Sequence, residues 1–347
     1  MNIWEVMPAA LSSLTGQGEY VGRFPSAKNV VVLLVDGMGV QNLEKFIERY
    51  PLIERLIHNP GRTTLPSTTP VALASLGTTK SPSGHGFLGA TFMVDGEVLQ
   101  PLKWSTDPHP MSLWPDATVF EEAAKIGVDV RRVGPGAYRN SGLTNAVLRG
   151  GQHINADSLD ELVEVLPNVQ GQSLTYGYYP TLDRVGHVYG CNSDEYQSEL
   201  RDVLDAISKI ETQIPNDTLL VITADHGMVD MSRRIWLEDE DHVLSHIDIV
   251  TGEPRFRHIF TKNPESVVRH FGKYEEDFLT LTREEFIESL AEVTIFEDRI
   301  GDVVVIAKGE DVGLCSRTID YRVSNLIGQH GGASDTERDI PIALMAG

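Results

Sequence analysis

Two residue types recur along the chain in a pattern suited to holding cations: Asp36, Asp183, His187, Asp225, His226 and His330. Carboxylate oxygens and imidazole nitrogens are the mixed donors that zinc and similar divalent ions accept, so three of each make two three-ligand sets. Asp183 and His187 stand four apart in "DRVGH" (183–187), where one helical turn or a tight loop aims both at one point. Asp225 and His226 end an apolar run in "VITADHGM" (221–228), and His330 precedes Gly331 and Gly332, which permit close backbone approach. A nucleophile is offered by "TTLPSTTP" (63–70), where Ser67, Thr68 and Thr69 sit before Pro70 at a helix start. Unpaired N–H groups and the helix dipole favour anions there, and a nearby cation lowers the pKa of a hydroxyl. Each motif alone has a plainer role: Asp36 as a turn residue, His330 as a loop histidine, "PSTTP" as an ordinary cap. The joint pattern carries the reading.

These residues need elements to position them. Apolar, β-branched runs at 29–35, 173–179, 218–224, 302–307 and 340–346 predict strands covered on both faces, as in a parallel sheet. Helical patterns fall between them at roughly 40–58, 67–77, 117–126, 157–166 and 194–213. Alternating strands and helices predict an α/β fold of the doubly wound type. Ligands in such sheets bind beyond the carboxyl ends of the strands, and Asp36, Asp183 and Asp225 all fall there or just after. Residues 232–320 are richer in charge and do not extend the same sheet, which predicts an inserted subdomain between a core of 1–231 and 321–347.

Bulk properties limit the function classes. The chain has 347 residues, 41% of them hydrophobic, and a net charge of -21. That charge argues against nucleic-acid duplex binding, and an anionic substrate would need local positive charge of the kind bound ions supply. No apolar run reaches the roughly 18 residues of a membrane helix, so no membrane partner is expected. The N-terminal residues lack a basic, apolar leader pattern, which makes the cytoplasm the expected location. Cys191 and Cys315 offer neither a disulfide framework nor a cysteine metal site.

The motifs "VDGMG" (35–39), "PSTT" (66–69), "GHG" (84–86), "DRVGH" (183–187), "ADHGM" (224–228) and "QHGG" (329–332) resemble the alkaline phosphatase superfamily in that order. Within it they resemble the type I phosphodiesterase/nucleotide pyrophosphatase branch. The resemblance implies an alkaline-phosphatase-like α/β sandwich, a mostly parallel central sheet with helices on both faces plus a small insertion that shapes the substrate pocket. It implies two divalent metal ions, zinc by preference, one held by Asp183, His187 and His330 and the other by Asp36, Asp225 and His226. It also implies a threonine nucleophile, Thr69, with Thr68 as the alternative. The expected reaction is cleavage of phosphodiester or pyrophosphate bonds in a small phosphate ester, such as a nucleotide, through a phospho-threonine. Alternatives are a phosphate monoester, phosphonate or sulfate ester on the same site, or a metal-stabilised binding protein without turnover. One departure stands out: an Asn of these relatives, which hydrogen-bonds a phosphate oxygen, is replaced by Gly89 and Ala90 in "HGFLGATF" (85–92), leaving Thr91 or a backbone N–H to take over. Trp104, in "PLKWSTDP" (101–108), is a candidate wall against an aromatic leaving group. Lys103, Arg131, Arg132, Arg139, Arg149 and Arg184 are candidate cationic contacts that sequence does not place.

Overall fold

The computed structural model describes residues 1–104, 107–290 and 292–346. Ser105 and Thr106 of the 101–108 segment, Ala291 within 232–320, and Gly347 at the end of the expected core lie outside the described residues. Seven strands form the main sheet: β1 (Asn29–Val35), β2 (Pro60–Arg62), β3 (Asp129–Gly134), β4 (Gln152–Asn155), β5 (Ser173–Tyr179), β6 (Thr218–Thr223) and β7 (Asp339–Ala346). Their order is β2-β7-β6-β1-β5-β3-β4, and the strands from β6 to β4 run parallel. β7 is antiparallel to β6 and β2, so the 340–346 run belongs to this sheet but reverses its direction.

β1 is buried at every position, and each of its Val and Leu side chains contributes about 1.5–3 kcal/mol by leaving water. Helices cover both faces. α1 (Ile3–Thr15), α2 (Thr69–Thr78), α3 (Val119–Lys125) and α4 (Gly142–Val147) pack as one layer; α5 (Leu159–Val165), α6 (Thr181–Tyr189) and α7 (Asp194–Gln213) pack as the other. α7 turns Tyr196, Leu200, Val203, Leu204, Ile207 and Ile210 inward at helical spacing, and the Ser193 side chain caps it by accepting from the Tyr196 N–H. The expected helix over 40–58 is instead two, Val40–Glu44 and Leu52–Ile57, because Pro51 lacks the N–H that a continuous helix would need.

A second, antiparallel sheet runs in the order Ile247–Glu253, Phe256–Thr261, Val303–Ala307, Phe278–Thr282. It has its own core, with Ile259, Phe271, Val303 and Leu314 among its buried members. The apolar run at 302–307 is therefore an inner strand of this smaller sheet, where both neighbours bury it, rather than a strand of the parallel one. The smaller unit is tied to the main one by Arg255, fully buried against Glu337.

Candidate active site

Three elements of the main sheet end at one place. Asp36 follows β1, Asp225 and His226 follow β6, and Asp183 and His187 lie one turn apart on α6 directly after β5. Parallel strands deliver their carboxyl ends to a single edge, so residues nearly 190 positions apart become neighbours there. His330 reaches the same edge from the loop after Gly328–Gln329, and its Nε2 stands 3.8 Å from Asp183 Oδ1. Backbone freedom makes the approach possible at Gly37, where φ is +74° and a Cβ would come 3.0 Å from the Asp183 Cα and Cβ.

The carboxylates share one feature. Asp225 Oδ1 accepts from the Gly37 N–H at 3.1 Å and the His226 N–H at 3.0 Å, and Asp36 Oδ2 accepts from the Tyr178 hydroxyl. Their other oxygens, Asp36 Oδ1 and Asp225 Oδ2, are buried without a hydrogen-bond partner among the described residues, as is Asp183 Oδ1. Buried oxygens left unpaired cost on the order of 1–3 kcal/mol each, so an arrangement with three of them calls for an explanation. Burial, with repulsion from Asp225 and Asp183, pushes the Asp36 carboxyl well above the usual range, and burial raises Asp225 as well.

The imidazoles complement this. His187 Nδ1 faces the Gly328 carbonyl at 2.8 Å, His226 Nδ1 the Gly227 carbonyl at 3.1 Å, and His330 Nδ1 the Ser67 carbonyl at 3.1 Å. A carbonyl only accepts, so Nδ1 carries the proton in each ring and the Nε2 lone pair is left for another purpose. Those Nε2 atoms converge: His187 on Asp183 Oδ2 at 3.4 Å, His226 on Asp36 Oδ1 at 3.5 Å and on Asp225 Oδ2 at 3.4 Å. Burial, then His226 and His187, hold His330 well below the ordinary imidazole range, which keeps it neutral. Unpaired carboxylate oxygens facing Nε2 lone pairs repel unless cations lie between them, and the donor set fits divalent ions.

Two compact trios have their donor atoms within 4.8 Å of one another: Asp183, His187 and His330, and Asp36, Asp183 and His226. The first is the trio that the motifs suggest. The second contains Asp183 with Asp36 and His226, and Asp225 faces the same group, its Oδ2 3.4 Å from His226 Nε2.

Thr69 heads α2 and its Oγ1 lies 3.1 Å from His226 Nε2, whereas the Thr68 hydroxyl turns away to donate to Glu253 Oε2 at 2.9 Å. Asp36, Thr69 and Asp183 border a cavity of about 260 Å³. Its lining residues all fall between Asp36 and Arg184, so among the described residues 232–320 supplies none of this wall. Two candidate substrate contacts lie elsewhere. Trp104 is buried against Gly142 and donates its indole N–H to the Pro108 carbonyl, so the ring is part of the core rather than a substrate wall. The Thr91 hydroxyl is engaged with the Gly252 backbone, which holds the Phe92–Val94 strand to the smaller unit and leaves no free donor toward phosphate.

Two residues at the site escape sequence reading. Tyr178 looks like any strand aromatic until its hydroxyl is found on Asp36. Glu253 ends a strand of the smaller sheet, buried between Thr68 and His330, whose Nδ1 is 3.8 Å away. Burial pushes its carboxyl up to about 8, against the hydrogen bond from Thr68. The only sequence signal for it is Gly331, where φ is +115° and a Cβ would lie 2.8 Å from the Glu253 side chain.

The sheet order, the flanking helices and the edge site define an alkaline-phosphatase-like fold. The family model for type I phosphodiesterase/nucleotide pyrophosphatase matches residues 30–332, and the chain belongs to that family. Membership indicates a hydrolase of phosphate esters. Among solved structures, phosphonoacetate hydrolase from Sinorhizobium meliloti in complex with phosphonoformate superposes with a TM-score of 0.72 at 19% identity, covering 93% of this chain and 91% of that one. Murine ectonucleotide pyrophosphatase/phosphodiesterase 5 superposes with a TM-score of 0.70 at 17% identity, covering 90% and 87%. An inactive form of the same murine protein in complex with AMP gives 0.68 at 16%, again covering 90% and 87%. No helix among the described residues is long and apolar enough to cross a membrane.

Proposed function

We propose that the protein cleaves phosphodiester or pyrophosphate bonds in a small ester through a phospho-threonine on Thr69. Asp183, His187 and His330 would hold one divalent ion and Asp36, Asp225 and His226 the other, with zinc the ion that this donor chemistry favours. The observation that carries the reading is the placement of the Thr69 hydroxyl 3.1 Å from His226 Nε2, at the head of α2 and beside three unpartnered carboxylate oxygens. Bound divalent ions lower the pKa of a hydroxyl and neutralise charge building on phosphoryl oxygens.

The chain's own part is positioning. Thr69 Oγ1, having released its proton, forms the bond to phosphorus while the ester oxygen opposite leaves with its electron pair and takes up a proton; water, losing a proton as it attacks, then displaces the threonine oxygen, which is reprotonated. α2 directs the positive end of its dipole at the transferred group. Tyr178 and the Gly37 and His226 amides orient the carboxylates, so little reorganisation is needed when charge develops. Residues 232–320 act as an inserted unit, and Glu253 steadies Thr68 at the start of α2. A nucleotide-derived ester is the substrate class favoured by the family and by the AMP complex of the murine protein. Phosphonate hydrolysis is the second reading, supported by the similarity to phosphonoacetate hydrolase.

The test is a side-by-side measurement of kcat/KM on an aryl phosphodiester, a phosphate monoester, a phosphonate and a sulfate ester with added zinc. The proposal expects the diester to lead. A monoester preference of several decades would overturn it.

A further inference from the structure

The cavity beside Thr69 is charged in a way that the metal cluster does not explain. In a chain of net charge -21, the carboxylates lining it among the described residues are Asp36 and Asp183, both at the cluster, whereas its lining bases are Arg132, His153 and Arg184. Tyr176 on β5, Arg132 on β3 and His153 on β4 are register partners across three adjacent parallel strands, so their side chains share one face of the sheet. Tyr178 lies on that face too, two residues further along β5, with its hydroxyl on Asp36. The row is thus set back from Tyr178 by about 6.6 Å, two residues of strand rise, and Asp36 lies further still along the strand direction, after Val35 opposite Tyr179.

Each member of the row has polar capacity unused within the protein. The Tyr176 hydroxyl and His153 Nε2 are buried with no hydrogen-bond partner among the described residues. Arg132 donates from Nε to the Gly150 carbonyl at 2.7 Å, and among the described residues its terminal nitrogens have neither a hydrogen-bond acceptor nor a carboxylate partner. Burial first, with Arg139 adding to it, holds the Arg132 guanidinium below its ordinary range. The remaining walls of the cavity are mixed, with Leu73, Leu102, Leu143 and Leu148 among the apolar residues and Ser141 and Thr144 among the neutral polar ones. The space is about 260 Å³, below the roughly 300–1,000 Å³ of sites for drug-sized ligands.

We propose that this inner row is a subsite for a second anionic group of the substrate, a carboxylate or a phosphate at the far end of a compact, largely apolar organic part. The proposal rests on the reading above, in which the reacting phosphoryl group lies at Thr69. It narrows the substrate from any small ester to one with two anionic ends set a fixed distance apart. A guanidinium with free terminal N–H groups receives a carboxylate or phosphate with two parallel hydrogen bonds, and Tyr176 supplies a third donor.

Calorimetry on the zinc-loaded protein tests this with three ligand series of two to five methylenes: alkylphosphonates, ω-phosphonoalkanoates and α,ω-bisphosphonates. The phosphonate end of each occupies the phosphoryl position. At one chain length, the ligand with a second anionic end should bind about tenfold tighter than the alkylphosphonate of equal length. The carboxylate and phosphonate ends say which anion the row prefers. Arg132→Leu should reduce the tenfold ratio to within about twofold, Arg132→Lys should keep part of it, and His153→Gln should lower it. The length profile of the unaltered protein is itself a test, so the inference stands or falls even if a variant folds poorly. Alkylphosphonates that bind, with no gain from a second anion or an equal gain at every length, would overturn the subsite alone. No binding by any series would overturn both the subsite and the phosphoryl site on which it rests.

Discussion

Two buried ionic clusters each draw a member from residues 330–337 and treat charge in opposite ways. Glu337 and Arg255 are wholly buried, and every side-chain oxygen and nitrogen of the pair is used. Glu337 Oε1 also accepts from the Gly332 N–H at 2.8 Å and Oε2 from the Ser334 hydroxyl at 2.6 Å, while the guanidinium also reaches the Val312 and Gly309 carbonyls. A few residues earlier, His330 joins a cluster in which three carboxylates each keep an oxygen unpartnered. Burial alone therefore does not mark function. A buried charge whose partners are complete is architecture, and one whose partners are withheld by rigid neighbours is prepared for something from solution.

The largest expected break in this comparison comes at the incomplete cluster. Thr69→Ala should lower kcat/KM by about 10³-fold or more while ion content, read by elemental analysis, stays at the unaltered level. Near-normal turnover in Thr69→Ala with loss in Thr68→Ala would move the nucleophile to Thr68. At the complete cluster, Arg255→Ala should cost about 3–5 kcal/mol of stability in denaturant unfolding, because Glu337 is left buried and unpaired. A cost under about 1 kcal/mol would show that water or a side-chain shift re-solvates Glu337.

A third, smaller effect separates structural from site titration. Burial pushes the His258 imidazole down to about 4, where Nε2 faces the Leu88 carbonyl and Nδ1 accepts from the Gly301 N–H. The folded state then binds fewer protons than the unfolded state between pH 4 and about 6.5, so its contribution to stability falls as pH drops through that window. The full loss is on the order of 3 kcal/mol, and the stability difference between the unaltered protein and His258→Gln should shrink toward acid by that amount. A difference independent of pH would contradict the buried neutral imidazole. Smallest when counted per bound ion is the chelator effect on unfolding: withdrawing ions present at about 100 times their dissociation constant should remove about 2.7 kcal/mol per site.

The same contrast explains what could be read from sequence. Asp36, Asp183, His187, Asp225 and His226 are legible because parallel strands deliver their ends to one edge, whereas His330, on the loop after Gly328–Gln329, is legible only through its motif. The strand runs 29–35 and 173–179 were legible because burial on both faces demands continuous apolar residues. The 302–307 run has the same composition in a different sheet, since an inner antiparallel strand buried on both faces reads alike. Trp104 and Thr91 were misplaced because an aromatic near a motif, or a hydroxyl near a glycine turn, does not reveal which backbone group engages it. Glu253 and the Tyr176, Arg132 and His153 row depend on strand register and on the docking of a second unit, neither of which local patterns encode.

The central claim is that the six-residue cluster is a divalent-ion site, and calorimetric titration of chelated protein with zinc tests it most directly. The account predicts about two ions per chain, with Asp36→Asn and Asp183→Asn each reducing the stoichiometry or weakening binding by at least about tenfold. Absence of saturable binding in folded protein, or binding unchanged in both variants, would contradict it.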